Sequence, residues 1–242
     1  MLRACDGRSA GAAANSDGHL QIAFLSASSA NTWLASSKAA MDAVAEDNDA
    51  TVTEFDGQFK PAEQSKQIQD IITSGRYQGL VIASVDGAGV IPELERAQKA
   101  GIKVAILNQV IGTDLSTPDP QFDGPVVSVL APPVRTGEGM GTLTTQACTG
   151  KPDCKVVYLY GIKGTPIDNA EREGFDSVIS KTAGISVVAE GEAGYLGTDG
   201  GRKAVADVLQ RIPNPDVIVG VGDQGIQGAA WRSALQASPA PN

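Results

Sequence analysis

The feature that most constrains the fold is a regular alternation of apolar runs and helix-period stretches, which begins at Leu20. The sequence predicts strands at 20–26, 51–55, 79–84 and 103–108, separated by helices at about 32–46, 61–74 and 91–99. The predicted strands are almost continuously apolar instead of alternating, which is typical of strands covered by helices on both faces. This first half of the chain therefore predicts a doubly wound parallel sheet.

A second alternation follows a break at 109–125, a segment rich in Pro, Gly and Asp. Strands are predicted at 126–130, 155–160, 185–191 and 216–220, with helices at about 134–147, 168–180, 198–210 and 225–236. We expect two Rossmann-like α/β lobes, one at 20–125 and one at 126–242, after a flexible leader at 1–19. Folds of this kind bind ligands in a crevice at the carboxyl ends of their strands. The second lobe ends on a helix with no strand after it, so we expect it to be incomplete.

Composition excludes several classes of function. The 19 basic and 28 acidic residues give a net charge of −9, which disfavours nucleic acid as a partner. No apolar run approaches the ~18 residues that a membrane-spanning helix requires. The single histidine, His19, precedes the first predicted strand, so we expect neither a histidine-based zinc site nor a catalytic triad. We predict no metal and no cofactor.

One motif resembles a dinucleotide-binding fingerprint. Residues 220–225 fit G-x-G-x-x-G between a predicted strand and a predicted helix. A dinucleotide site also needs a further strand with an acidic residue about 20 residues on, and the sequence ends before that point. We interpret these glycines as a tight turn and predict that the protein is not an enzyme; saturable binding of NAD would contradict this interpretation.

Two of the three cysteines, Cys148 and Cys154, flank the turn-like stretch TGKPD. No further metal ligands lie nearby in the sequence, so a zinc site is disfavoured. We expect a disulfide across this short loop, which would contribute roughly 2 kcal/mol of stability. Such a bond implies an oxidising compartment. The alternative is a pair of buried free thiols.

The third cysteine, Cys5, ends the run LRAC, which is similar to a bacterial lipobox. A spacer rich in small residues follows, as expected for a flexible tether. We therefore predict lipidation at Cys5, with a signal peptide that was trimmed or lies upstream of the assigned start. The alternative is a cysteine without function in a leader, because only four residues precede it and no apolar signal core does.

Polar and aromatic residues follow several of the predicted strands. The candidate ligand-binding residues are Asn31, Trp33, Asn108, Gln109, Asn169, Tyr195 and Asp223. Amides and a carboxylate hydrogen-bond to hydroxyl groups, and aromatic rings pack against the apolar face of a sugar. Each residue by itself is more often a turn or cap residue. Their shared placement after strands is what indicates a site for a small sugar-like molecule.

Four segments carry a specific resemblance: IAFLSASSANTWLASSKAAMDA, AGIKVAILNQ, LYGIKGTPIDNAEREGF and PDVIVGVGDQGIQGAAWRSAL. Together they resemble the ribose-binding-protein-like group of periplasmic sugar-binding proteins of ABC importers, over about 20–236. The resemblance implies the type I periplasmic-binding-protein fold and solute capture without chemistry. Asn108 and Gln109 stand where many members have Asp-Arg, and Asn169 stands where an Arg often contacts the sugar. These departures disfavour ribose and favour another neutral polyol or a ligand unlike a sugar.

The resemblance also implies partners and a location. We expect a monomer outside the cytoplasm, in the periplasm or anchored by lipid to the cell membrane, that delivers a monosaccharide to the membrane subunits of an ABC permease. Family members continue with a further strand, a hinge crossing that carries a ligand Asp, and a return helix that completes the first lobe. We expect this chain to lack these elements, which would leave a sheet edge or face exposed and favour aggregation.

Two other functions share this fold. One is the effector-binding core of a LacI-type transcription regulator, which normally follows a helix-turn-helix that residues 1–18 are unable to form. The other is a sensory ectodomain that signals to a kinase or chemoreceptor. The partner protein would distinguish the second from a transport component.

Overall fold

The computed structural model describes residues 18–237, with side chains as far as residue 230. The strands are β1 (Leu20–Ser26), β2 (Ala50–Asp56), β3 (Gly79–Ile82), β4 (Lys103–Asn108), β5 (Val127–Leu130), β6 (Cys154–Tyr160), β7 (Ile185–Glu192) and β8 (Val217–Gly220). The helices are α1 (Thr32–Asp47), α2 (Pro61–Ser74), α3 (Ile91–Lys99), α4 (Pro133–Ala147), α5 (Pro166–Ile179), α6 (Thr198–Leu209) and α7 (Asp223–Ala237). The doubly wound α/β fold predicted from the sequence is confirmed.

Of the described residues, 18–114 and 118–130 form one compact unit, and 115–117 with 131–237 form another. The first unit contains an all-parallel five-stranded sheet in the order β2-β1-β3-β4-β5. One face of this sheet packs Leu25 and Ile82 against Ile68 of α2 and Leu94 of α3. The other face packs Phe24 against α1. The order places the ends of β2, β1 and β3 side by side.

The second unit contains three parallel strands in the order β7-β6-β8. On one face, Tyr158 of β6 packs with Phe175 of α5, their ring centroids 5.0 Å apart. On the other face, Leu159 packs with Val205 and Val208 of α6. Strand β6 is the central strand, and its side chains pack against helices on both faces of the sheet.

Glycines let the helices of the second unit approach backbone to backbone. A Cβ atom at Gly137 of α4 would collide with the carbonyl oxygen of Glu171 on α5, and one at Gly174 would collide with the carbonyl oxygen of Val134. Helices α6 and α7 cross in the same way, with Gly201 against the carbonyl oxygen of Gly225. No residue with a side chain fits at these crossings without moving a helix.

Strand β5 belongs to the first unit, whereas the sequence-based boundary at 125/126 assigned it to the second. It pairs in parallel with β4, with Val127 opposite Ala105. The composition of 109–125 indicated a connection but not which sheet receives the next strand. Strand β5 is the last strand of this sheet among the described residues, and Val127 and Val129 are 49% and 59% exposed. An exposed sheet edge was expected from the sequence.

The cysteine pair lies where α4 ends and β6 begins. Cys148 is the C-cap of α4 and Cys154 is the first residue of β6, and both are buried. Their Cα atoms are 5.7 Å apart in a disulfide geometry. Cys5 and the predicted lipidation site lie outside the described residues.

Residues 18–237 form eight strands and seven helices. No helix in this range is both long enough and apolar enough to cross a bilayer. The same range contains no cluster of three His, Cys, Asp or Glu side chains that would hold a metal ion.

Candidate functional site

The loop after β1 carries two of the predicted ligand residues. Asn31 is the N-cap of α1, and its side-chain oxygen accepts a hydrogen bond from the backbone N–H of Leu34 at 2.9 Å. This cap buries Asn31, which is 7% exposed, whereas Trp33 in the first turn of α1 is 44% exposed. The cap fixes where α1 begins, and with it the backbone position of Trp33.

The loop after β4 carries the second pair. Asn108, the last residue of β4, has a positive φ of 66° and is exposed. Asparagine is one of the few residues that tolerate this left-handed conformation. The next backbone N–H, that of Gln109, donates to the carbonyl oxygen of Leu107 at 2.7 Å. The strand therefore ends in a tight turn that leaves the Asn108 side chain at the surface.

Asp168 is the polar centre of the second unit and is fully buried near the start of α5. Its Oδ1 accepts from the backbone N–H groups of Gly161 and Ile162 at 2.6 and 3.2 Å. Its Oδ2 accepts from the hydroxyl groups of Thr165 at 2.6 Å and Tyr195 at 2.9 Å. One carboxylate thus joins the end of β6, the start of α5 and the segment after β7.

Tyr195 is held against the end of β6 by this bond. Its ring lies so close to Gly161 that any Cβ atom there would collide with it. A Cβ atom at Gly222, just after β8, would lie 3.5 Å from the ring. Burial and the neighbouring Asp168 raise the pKa of Tyr195. Because the hydroxyl gives its proton to Asp168, the Tyr195 side chain can offer a ligand its ring and the acceptor side of its oxygen.

The remaining predicted residues of the second unit are exposed. Asn169 lies in the first turn of α5, and its side-chain nitrogen donates to the carbonyl oxygen of Gly164 at 3.4 Å. Asp223 is the first residue of α7. These two residues and Tyr195 follow β6, β8 and β7, which are adjacent parallel strands. The structure therefore places the three residues at the same edge of one sheet.

A group of charged side chains covers the start of α5 and the neighbouring strands. Arg172 donates to Glu190 of β7, to Asp176 one turn later and to the Tyr160 hydroxyl. Lys163 donates to the other oxygen of Glu190 at 2.6 Å. The hydrogen bonds from Lys163 and Arg172 lower the pKa of Glu190, against the opposing effect of burial. Because these side chains hydrogen-bond to one another, we interpret the group as stabilising the fold and not as part of the ligand site.

One carboxyl group is buried without such partners. Glu171 is 6% exposed, and its Oε2 has no hydrogen-bond partner among the described residues. Burial, together with the nearby charge of Asp168, raises the pKa of Glu171 to about 8. The fully buried Tyr158 hydroxyl on β6 is another group without a partner in the described part of the chain. Burial therefore favours the protonated form of Glu171 in the folded protein.

Asp168 and Thr165 were not among the residues predicted from the sequence to form the site. The side chain of Thr165 caps α5 and accepts from the backbone N–H of Asp168. The spacing T-x-x-D resembles a capping box, a signal that places the helix start at Pro166 and not at the predicted position 168. It gave no indication that the same carboxylate also holds Tyr195, because that residue lies 27 positions further along the chain.

The periplasmic binding protein domain family matches residues 22–238, which is most of the chain. The chain belongs to this family. No match was found among curated protein sequences.

Solved structures show the same fold. A galactofuranose binding protein is similar with a TM-score of 0.75 and 23% identity, over 89% of this chain and 71% of that one. An ABC transporter solute binding protein from Mycobacterium smegmatis, with bound glycerol, has a TM-score of 0.72 and 26% identity, over 90% and 72%. The Caulobacter myo-inositol binding protein has a TM-score of 0.72 and 16% identity, over 90% and 70%. The chain thus spans about 70% of the length of each of these structures.

Proposed function

We propose that this protein is the solute-binding component of an ABC-type importer and that it binds a small sugar-like molecule. The observation that carries the proposal is the family match over residues 22–238. Similar structures are described as binding galactofuranose, D-allose and myo-inositol. Importer binding proteins capture their solute without making or breaking a covalent bond, so no catalytic group is assigned.

The ligand contacts that we propose lie at the carboxyl ends of strands in each unit. In the first unit they are Asn31, Trp33, Asn108 and Gln109, and Asn31 also caps α1. In the second unit they are Asn169, Tyr195 and Asp223. Exposed amides and a carboxylate suit vicinal hydroxyl groups, and the rings of Trp33 and Tyr195 suit the apolar face of a sugar. No basic side chain is among them, which favours a neutral ligand.

A panel of sugars tests this function. The full chain is titrated by calorimetry with D-galactose, L-arabinose, D-arabinose, D-allose, D-fructose and myo-inositol. At least one sugar is expected to bind saturably and, in a Trp231→Phe background, to change the emission of Trp33. Replacing Asn169 or Asp223 with Ala is expected to lower the affinity for that sugar by about tenfold or more, since each change removes hydrogen-bonding groups worth about 1.4 kcal/mol.

The matched control for these variants is Asp207→Ala, which removes an exposed carboxylate of α6 away from the strand ends. It is expected to leave the affinity unchanged. If no sugar of the panel gives saturable heat in a protein that unfolds cooperatively, the proposed function is wrong.

We further propose an extracytoplasmic location, delivery of the bound sugar to a membrane permease, and a monomeric state, with Cys5 as the lipid anchor. The geometry of Cys148 and Cys154 supports an oxidising compartment. Thiol titration of the unfolded, unreduced protein is expected to detect no more than one of the three cysteines. Detection of all three would refute the disulfide, and the reduced protein serves as the positive control. The family match does not favour a transcription regulator or a sensory ectodomain.

A further inference from the structure

We propose that Gln64 and Gln67 of α2 are positioning residues that hold the loops after β1, β2 and β3 in place, and with them the start of α1, which carries Trp33. The inference rests on the proposed sugar-binding function and concerns two residues that carry no ligand contact of their own. They lie one turn apart on the buried face of α2.

Gln64 joins the ends of β1 and β3. It is completely buried, an unusual position for a glutamine. Its side-chain nitrogen donates to the carbonyl oxygens of Ser26 and Ala83 at 3.3 and 3.0 Å. Its side-chain oxygen accepts from the backbone N–H of Val85 at 2.8 Å. A single amide therefore satisfies three backbone groups at the points where two adjacent strands give way to loops.

Gln67 extends the same contact to β2. Its side-chain nitrogen donates to the carbonyl oxygen of Asp56, the last residue of β2, at 2.8 Å. The Asp56 side chain in turn accepts from the backbone N–H groups of Ser29 and Gln58, at 3.2 and 2.9 Å. Because β2, β1 and β3 are neighbours in the sheet, the two glutamines fix three consecutive strand ends from one helix.

The loops held in this way are tightly constrained. The backbone N–H of Phe59 donates to the carbonyl oxygen of Ala27 at 2.7 Å, and the backbone N–H of Gly57 donates to the carbonyl oxygen of Ser26 at 2.9 Å. Gln58 and Phe59 both have positive φ, at 51° and 54°, a conformation that persists only where surrounding contacts enforce it. The loop after β1 leads directly into Asn31 and Trp33. Loss of the glutamine contacts is therefore expected to loosen the segment that carries Asn31 and Trp33, which are proposed to contact the sugar.

The variant Gln64→Met keeps the side-chain length and removes all three hydrogen bonds. In the sugar-free protein, the Val85 amide is expected to exchange its hydrogen at least tenfold faster, along with amides of residues 27–31, while β4 amides stay unchanged. The affinity for the tightest-binding sugar of the panel above is expected to fall at least tenfold. Gln69→Met, at an exposed glutamine of the same helix, is the matched control and is expected to change neither quantity.

If Gln64→Met does not fold, Gln67→Met removes a single bond and is expected to speed exchange of the Ser29 and Gln58 amides. A loss of stability with unchanged loop exchange and unchanged affinity would overturn the proposal, because it would show a purely structural role. Absence of sugar binding in the unaltered protein would reject the proposed function itself. If Gln64→Met binds the sugar as tightly as the unaltered protein and its loop amides exchange no faster, only the positioning role is rejected.

Discussion

Replacing Asp168 with Ala is expected to lower the free energy of unfolding of the second unit by at least about 3 kcal/mol. The change leaves three donors without this acceptor, namely the backbone N–H groups of Gly161 and Ile162 and the Tyr195 hydroxyl, and each buried unpaired donor costs about 1–3 kcal/mol. The Thr165 hydroxyl keeps the carbonyl oxygen of Ile162 as an acceptor. Tyr195 also loses the bond that holds its ring over Gly161, so sugar binding is expected to fall with stability. Urea unfolding and calorimetric titration measure the two effects.

Three further variants separate the contributions. Asp168→Asn keeps one acceptor oxygen for the two backbone N–H groups and is expected to cost less than Asp168→Ala. Tyr195→Phe removes only the hydroxyl and is expected to cost about 1–2 kcal/mol. Glu173→Ala removes an exposed carboxylate of α5 and is expected to change stability by no more than about 0.5 kcal/mol. A cost for Asp168→Ala as small as that of Glu173→Ala would show that the buried carboxylate does not organise this region.

The stability of the protein is expected to fall as pH rises from about 4.5 to about 8, because of Glu171. Its pKa is about 8 in the folded protein, against an ordinary value of 4.5. Within that window the folded state retains a proton that the unfolded chain releases, so each pH unit lowers the free energy of unfolding by up to about 1.4 kcal/mol. Below the window the contribution is fully present, and above it the contribution is lost.

The variant Glu171→Gln isolates this effect, since an amide does not titrate and all other groups are unchanged. Its urea midpoint is expected to vary less with pH than that of the unaltered protein, with the largest difference near pH 8. Glu171 interacts electrostatically with three other titratable groups: Asp168 on the same helix, Tyr158 on β6 and Tyr195 after β7. Identical pH profiles for the two proteins would show that Glu171 is ionised in the folded state.

The elements of the fold were predictable because local sequence determines them. The apolar runs are long enough for buried strands, Pro61 suits the first turn of α2, and Gly75 takes the left-handed conformation that ends it. The sheet that receives β5 was not predictable, because strand pairing depends on contacts between distant segments. The break after Asn108 looks the same in the sequence whichever sheet the chain joins next.

The candidate site was predictable only in outline. Strand ends indicated where Asn169, Tyr195 and Asp223 lie, since parallel strands bring their carboxyl ends to one edge. Direct contact of these residues with a sugar stays a prediction. Asp168 and Gln64 were missed because a buried polar residue becomes visible only when its partners, many positions away, are in place.

The glycine crossings of the second unit limit how it can move. Packed helices usually accommodate conformational change by shear, in which interdigitated side chains slide past one another by small steps. Where Gly137 and Gly174 bring α4 and α5 into backbone contact, no layer of side chains lies between the helices to permit such sliding. The pair α6–α7 is locked in the same way at Gly201. We therefore expect each pair to move as one rigid body, with any rearrangement within the unit taken up by backbone torsions in its loops.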